Sequence, residues 1–197
     1  MATKVGIANS ALILLGAETI QAITESNKRA KLCNEMYDKS KRKLLELHPW
    51  NFATLRVALA QLAGAPVYEF DNWFQIPNDC LRILRVENNE AVTYVIEKDK
   101  ILTNEDAISI EYISDIGEGY FTQTFAELLA ARLAADICYA LLQSTSYAQY
   151  LEAKFDKDFA LTRSRDAQEG TARSFNPNYF LQARRGNFDS SSDFGGF

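Results

Sequence analysis

The chain has 197 residues, of which 47% are hydrophobic and 24% charged, the composition of an ordinary soluble globular protein. That length suits one domain, or one domain with a subdomain, large enough to bury roughly 70% of its unfolded surface without disulfide or metal staples. Twenty-one Lys and Arg against 26 Asp and Glu leave a net charge of -5, which argues against a general polyanion binder. The apolar stretches are short or interrupted by Glu127, Arg132 and Asp136, so no bilayer-spanning helix and no membrane partner are expected. The first residues lack a secretory-signal pattern. Cys33, Cys80 and Cys138 are odd in number and widely spaced, which points to small core residues in a reducing compartment rather than a disulfide framework or zinc knuckle.

Taken in chain order, residues 4–16 read as a short helix. Val5, Ala8, Leu12 and Leu15 keep helical rhythm and Gly16 is placed to end it. Residues 26–48 read as a longer helix with Ser26 as N-cap and Pro49 as its stop. Its apolar seam is Ala30, Cys33, Tyr37, Ser40, Leu44 and Leu47. The stretch 24–48 carries seven basic and four acidic groups. A further helical piece is expected around Phe52–Leu62, and Gly64 and Pro66 close the first half.

Residues 66–119 change character, with four basic and twelve acidic groups. Val67–Phe70, Trp73–Ile76, Leu81–Glu87, Val92–Glu97 and Ala107–Ile113 are rich in Val, Ile and aromatics. They read as strands of one antiparallel sheet with a solvated face. Residues 120–142 return to helix. Phe121, Phe125, Leu129, Leu133, Ile137 and Leu141 form an i+4 ridge with alanines between, which requires burial on most sides. Residues Ser144–Ser146 break this helix. A last helix runs from Tyr147 to Glu169 with Ala148, Leu151, Phe155 and Phe159 inward and Gly170 at its end.

The expected fold is therefore α+β: an antiparallel bundle of about four helices with a small antiparallel sheet inserted between the second and third. The divisions are 1–65 and 120–170 for the two halves of the bundle, 66–119 for the β-subdomain, and 171–197 for a C-terminal arm. The arm has one Leu and no Ile or Val, and is rich in Gly, Ser and Asn. It nevertheless carries Phe175, Tyr179, Phe180, Phe188, Phe194 and Phe197. Such a segment builds no core of its own but can bury its rings on a partner.

The search for catalytic chemistry ends empty. His48 is the only histidine, sits at a helix end before Pro49, and has no nucleophile beside it in sequence. Neither a P-loop nor a dinucleotide fingerprint is present, and Gly117-Glu118-Gly119 reads as a hinge between sheet and helix. Glu105-Asp106 and Asp71…Asp79 lack the spacing of a calcium loop. No catalytic, cofactor or metal site is expected. Two interaction readings remain. Lys28, Arg29, Lys31, Lys39, Lys41, Arg42 and Lys43 are either the solvated face of an amphipathic helix or a phosphate-contacting surface, with Lys39, Lys41, Arg42 and Lys43 as the DNA contacts. The aromatic arm is the other candidate partner surface.

Five segments add a resemblance: Asn9-Ser10-Ala11-Leu12 with Leu14-Leu15-Gly16-Ala17-Glu18; Leu44-Leu45-Glu46-Leu47-His48-Pro49-Trp50-Asn51-Phe52-Ala53; Phe74-Gln75-Ile76-Pro77-Asn78-Asp79-Cys80-Leu81-Arg82; Glu111-Tyr112-Ile113-Ser114-Asp115; and Phe125-Ala126-Glu127-Leu128-Leu129-Ala130-Ala131-Arg132-Leu133-Ala134. Their order and spacing resemble the tail tubular protein A family of tailed bacteriophages, the gatekeeper or head-to-tail adaptor proteins. The resemblance covers roughly residues 4–170 and is least in the arm. It implies a virion protein of the tail or neck, assembled in the host cytoplasm. It implies a ring, typically of twelve copies, between the portal and the nozzle or distal tube. Genomic DNA would pass through that ring without sequence specificity, and no catalytic residue would be needed. An acidic channel wall and Ala-rich lateral helix surfaces would suit that role.

Overall fold

The computed structural model describes residues 2–88 and 90–169. It is a mixed α+β fold with four helices and antiparallel strands. The aromatic arm, with Phe175, Tyr179, Phe180, Phe188, Phe194 and Phe197, lies outside the described residues, as does Gly170.

Helix α1 spans Lys4–Leu14, with the Thr3 hydroxyl accepting from the Gly6 N–H at 3.1 Å. It ends where Gly16 takes a φ of 66°, a left-handed conformation that glycine adopts without Cβ strain. Helix α2 spans Lys28–Leu47. Its cap is Asn27 rather than Ser26: the Asn27 side chain accepts from Ala30 N–H at 2.7 Å. Glu25 selects this residue, because its carboxylate accepts from Gln21 and Ala22 N–H and from the Asn27 amide, which folds the preceding turn. His48 is extended ahead of Pro49, as the proline ring requires of its neighbour.

Helix α3 spans Gln123–Leu142 and begins later than expected, because Glu118–Tyr120 form a separate 3-10 turn and Thr122 supplies the cap. Helix α4 spans Thr145–Gln168. The break before it is only two residues: Gln143 turns the chain at φ 51° and Ser144 caps the new helix.

α3 is the element on which the other helices converge, packing against α1, α2 and α4. Phe125, Leu129, Leu133 and Ile137 are buried as the ridge predicts, while Ala140 is exposed and Leu141 half-buried. The remaining alanines, Ala126, Ala130, Ala134 and Ala135, are buried within this chain. They let its own helices approach and are not a free lateral surface. On α2 the seam also departs from expectation at one end. Leu47 is exposed, and Lys41 and Leu45 are buried in its stead.

The largest correction lies after α2. Residues 52–62 are not helical. Asn51–Ala53 form one 3-10 turn and Thr54–Ala58 form strand β1. β1 pairs antiparallel with β7, Ser109–Ser114, in register Thr54 to Ile113. A five-residue run holding Thr and Val takes the extended state when an open sheet edge is offered to it. The first strand thus falls inside the stretch 1–65 that reads as helical.

The remaining strands are β2 (Asn72–Gln75), β3 (Cys80–Asn88), β4 (Glu90–Ala91), β5 (Tyr94–Glu97) and β6 (Lys100–Thr103). Val67–Phe70 is not a strand. The strands form two sheets, not one: a four-stranded sheet in the order β1-β7-β3-β4 and a three-stranded sheet in the order β2-β6-β5. Phe74 and Ile101 from the second sheet share a small apolar core with Val86, Ile110 and Tyr112 from the first. On its other side β7 sends Ile113 into the helical core, where Leu81 and Leu84 of β3 join it. The solvated face expected of the sheet is therefore covered on β7, and Glu111, 8% exposed, is buried there.

The helical core closes on one residue. Trp50 is 1% exposed, and its indole N–H donates to the Leu44 carbonyl at 3.0 Å. Its ring lies edge-on to Phe125 at 5.1 Å and near Phe52 and Phe159 at 6.0 and 6.1 Å. Replacing Trp50 with Ala empties the junction of α2, α3 and α4. The expected loss is about 3–5 kcal/mol, read from the urea midpoint.

Candidate interaction surface

The basic face of α2 is where sequence reasoning placed a possible DNA contact. Lys39 and Lys43 are exposed on it. Lys41 is not: it is 9% exposed, pairs with Asp115 at 2.7 Å and donates to the Ile116 carbonyl at 3.2 Å. Arg42 reaches the other oxygen of the same carboxylate at 2.9 Å. Two of the four candidate cations are thus spent on the end of β7, and Arg29 is paired with Glu18 at 2.8 Å. This leaves a thin set of free charges for a phosphate backbone.

Asp115 sits between two opposing influences. Burial raises a carboxyl's pKa, but the ammonium of Lys41 and the guanidinium of Arg42 outweigh it and hold this group below the ordinary carboxylate value. The arrangement ties the middle of α2 to the exit of the sheet.

A second polar joint ties the C-terminal end of α4 to the loop after α2. Asp166, 7% exposed, accepts from the Asn51 backbone N–H at 3.2 Å and meets His48 Nε2 at 3.0 Å. Asn51 returns a bond from its side chain to the Asp166 carbonyl. His48 therefore faces a carboxylate, but the partner acts as a clasp between chain segments. A third joint lies at the start of β3. The Ser114 hydroxyl and the Tyr112 phenol both donate to the Asp79 carboxylate, and the Asp115 N–H donates to the Asp79 carbonyl at 2.7 Å. Burial, with the Asp79 charge beside it, pushes the Cys80 thiol up to about 11, so it is a poor nucleophile at neutral pH. Asp71, Glu105 and Asp106 do not converge with it: among the described residues no three His, Cys, Asp or Glu side chains gather as a cation would need.

Apolar surface is left open in several places. Ile13 of α1 and Leu161 of α4 are more than half exposed and border a furrow of about 520 Å3 whose floor includes Leu128, Ala130 and Ala131 of α3. Tyr139 and Tyr150 are exposed on α3 and α4. On the β-unit, Leu55 and Val57 of the edge strand β1 and Val95 and Ile96 of the edge strand β5 are exposed. Sequence reasoning missed the furrow. Its only trace is that Ile13 and Leu161 are large apolar residues outside the buried stripes of their helices.

Most carboxylates of the β-unit, among them Asp71, Asp79, Glu87, Glu97, Asp99 and Asp106, are exposed. This unit therefore presents a negative surface, whereas the free lysines stand on α2. Comparison with protein-family models and with curated proteins finds no match for this chain.

The Asp115 joint makes a pH-dependent contribution with a definite sign. A carboxyl lowered by folding stabilises above its ordinary pKa, and that contribution is lost as pH falls through the folded-state value. Asp115→Asn is expected to cost about 2 kcal/mol at neutral pH, because Lys41 stays buried with its charge unanswered. The gap from the unsubstituted protein should close in acid, as urea midpoints measured across pH would register.

Proposed function

We propose that this chain is a structural head-to-tail adaptor of a tailed bacteriophage, one subunit of a ring between the portal and the distal tail. One observation carries the reading. Each of the five segments that resemble the adaptor family contributes a residue that joins elements of this fold to one another. Asn9 holds the Ile20 backbone through both its N–H and C=O. The Pro49–Ala53 segment supplies Trp50 and the Asn51 clasp. Asp79 holds Tyr112 and Ser114, Asp115 holds α2, and Phe125 packs on Trp50 and Phe52. A likeness that takes in the joints and the core between them is a likeness of scaffold, and a scaffold is what a ring subunit contributes.

In this reading the four helices form the antiparallel bundle that meets neighbouring copies and the portal. The inserted β-unit then faces the nozzle or tube. Its exposed carboxylates suit a surface past which DNA slides instead of sticking, since like charge repels the phosphate backbone. The copy number implied is twelve, and the arm from Phe175 to Phe197 buries its aromatic rings on the portal or a neighbour. Function of this kind is spread over interfaces and uses no reacting side chain.

The test is sedimentation velocity of the purified protein, alone and mixed with the portal ring encoded beside it. The expected result is a heavy complex with many copies per portal. Deleting Phe175–Phe197 should leave the far-ultraviolet circular dichroism unchanged and weaken that complex. A protein that stays near 22.2 kDa with portal present would overturn the reading. In the same buffers Lys39→Glu with Lys43→Glu should leave portal binding intact, whereas a nucleic-acid module would lose salt-dependent DNA binding with that pair.

A further inference from the structure

Along the N-terminal half of α3, helices α1 and α4 flank the furrow without closing over it. The floor is apolar, and Ile13 and Leu161, 64% and 61% exposed, stand at its sides. Glu127, Lys154, Asp158 and Arg165 form part of its rim. We propose that in the free chain, before any portal or neighbour takes up the arm, this furrow seats the chain's own C-terminal segment, with Phe175, Tyr179 and Phe180 laid over Leu128 and Ala131.

Two observations support that occupant. The first is where the chain leaves the fold. Leu161, Thr162 and Arg165 line the furrow, and the described chain ends at Glu169, about one helical turn beyond Arg165. Extended, the six residues from Glu169 to Phe175 span up to about 20 Å. The lining of α4 from Arg165 back to Lys154 is about 16 Å long. Counted from Glu169 the far end of that lining is about 22 Å away, so Phe175 reaches most of the furrow and Tyr179, four residues further on, reaches the rest by doubling back along α4.

The second observation is fit. Pockets of about 300–1,000 Å3 enclose drug-sized ligands, and a furrow of about 520 Å3 takes more than one aromatic ring. Every large apolar side chain of residues 171–197 except Leu181 is aromatic. The rim is charge-balanced, with Lys154 and Arg165 beside Glu127 and Asp158, so it neither attracts nor repels Arg173, two residues before Phe175. A tether this short holds the segment at an effective concentration of roughly millimolar, so in a dilute free protein its own furrow is filled before another copy's.

Limited trypsin digestion of the full chain tests the proposal, because Arg173, Arg184 and Arg185 are the cleavage points in the segment. Cleavage after Arg173 should be slow in the unsubstituted protein and about tenfold faster in Leu161→Glu, an exposed position whose change leaves the core untouched. Phe175→Ser, outside the described fold, should accelerate it equally. Slow cleavage should persist over about a hundredfold range of protein concentration. Equal rates in all three proteins would overturn the proposal by showing that the segment does not use the furrow. Protection that rises with concentration would overturn it in favour of a second copy as the occupant. Both readings are taken on the free chain, so they are independent of whether a portal is bound.

Discussion

The environment of Trp50 is the constraint on which the fold depends. Pro49 ends α2, and the next residue turns its indole back under the helix it has just left, onto the Leu44 carbonyl. Phe125 of α3 meets that ring edge-on, Phe159 of α4 approaches it, and Phe52 bridges to Phe121 and Phe125. Aromatic rings in such edge-to-face contact bury large areas in defined geometries, so the cluster sets angles as well as energy. The same few residues send the chain directly into β1. The helical core and the sheets therefore share one corner.

Polar joints supplement that corner. Asp166 clasps the end of α4 to His48 and Asn51, Asp115 holds the middle of α2, and Asp79 fastens the start of β3 to the end of β7. Each is a carboxylate shared by two or more donors from elements far apart in sequence. One of them bears on the charge available for partners: Asp115 takes Lys41 out of the basic face of α2 and pairs with Arg42, which stays exposed. The charge pattern of the linear chain thus overstates what the folded surface offers to a polyanion. What remains exposed is a negative β-unit, the lysines of α2, and isolated apolar patches.

The helices were legible because a 3.6-residue period is a local property. α3 shows it most plainly: the run from Phe125 to Ile137 is apolar at every i+4 step, and each of those residues is buried. The strands were less legible. Residues 52–62 read as helix because Phe52, Leu55, Leu59 and Leu62 also satisfy a helical spacing. Within it Thr54–Ala58 is a strand because β7 offers it a partner in register, Glu111 for Arg56, 55 residues away. The division into two sheets was equally hidden, since every strand is short and antiparallel and only the pairings Trp73 with Leu102 and Arg56 with Glu111 separate them.

By itself the sequence determined the helix limits to within a few residues, the strand-rich middle with its excess of acid, and the aromatic character of the arm. Periodicity, capping and composition are written in neighbouring residues and need no knowledge of distant ones. Tertiary structure alone decided which charges are spent and which surfaces stay open. Lys41 looks like its neighbours Lys39 and Lys43 until Asp115 reaches it from 74 residues away. Leu161 looks like any helical leucine until α1 and α4 fail to close above α3. Both outcomes depend on long-range packing, where the burial of one side chain is set by elements that no local window contains.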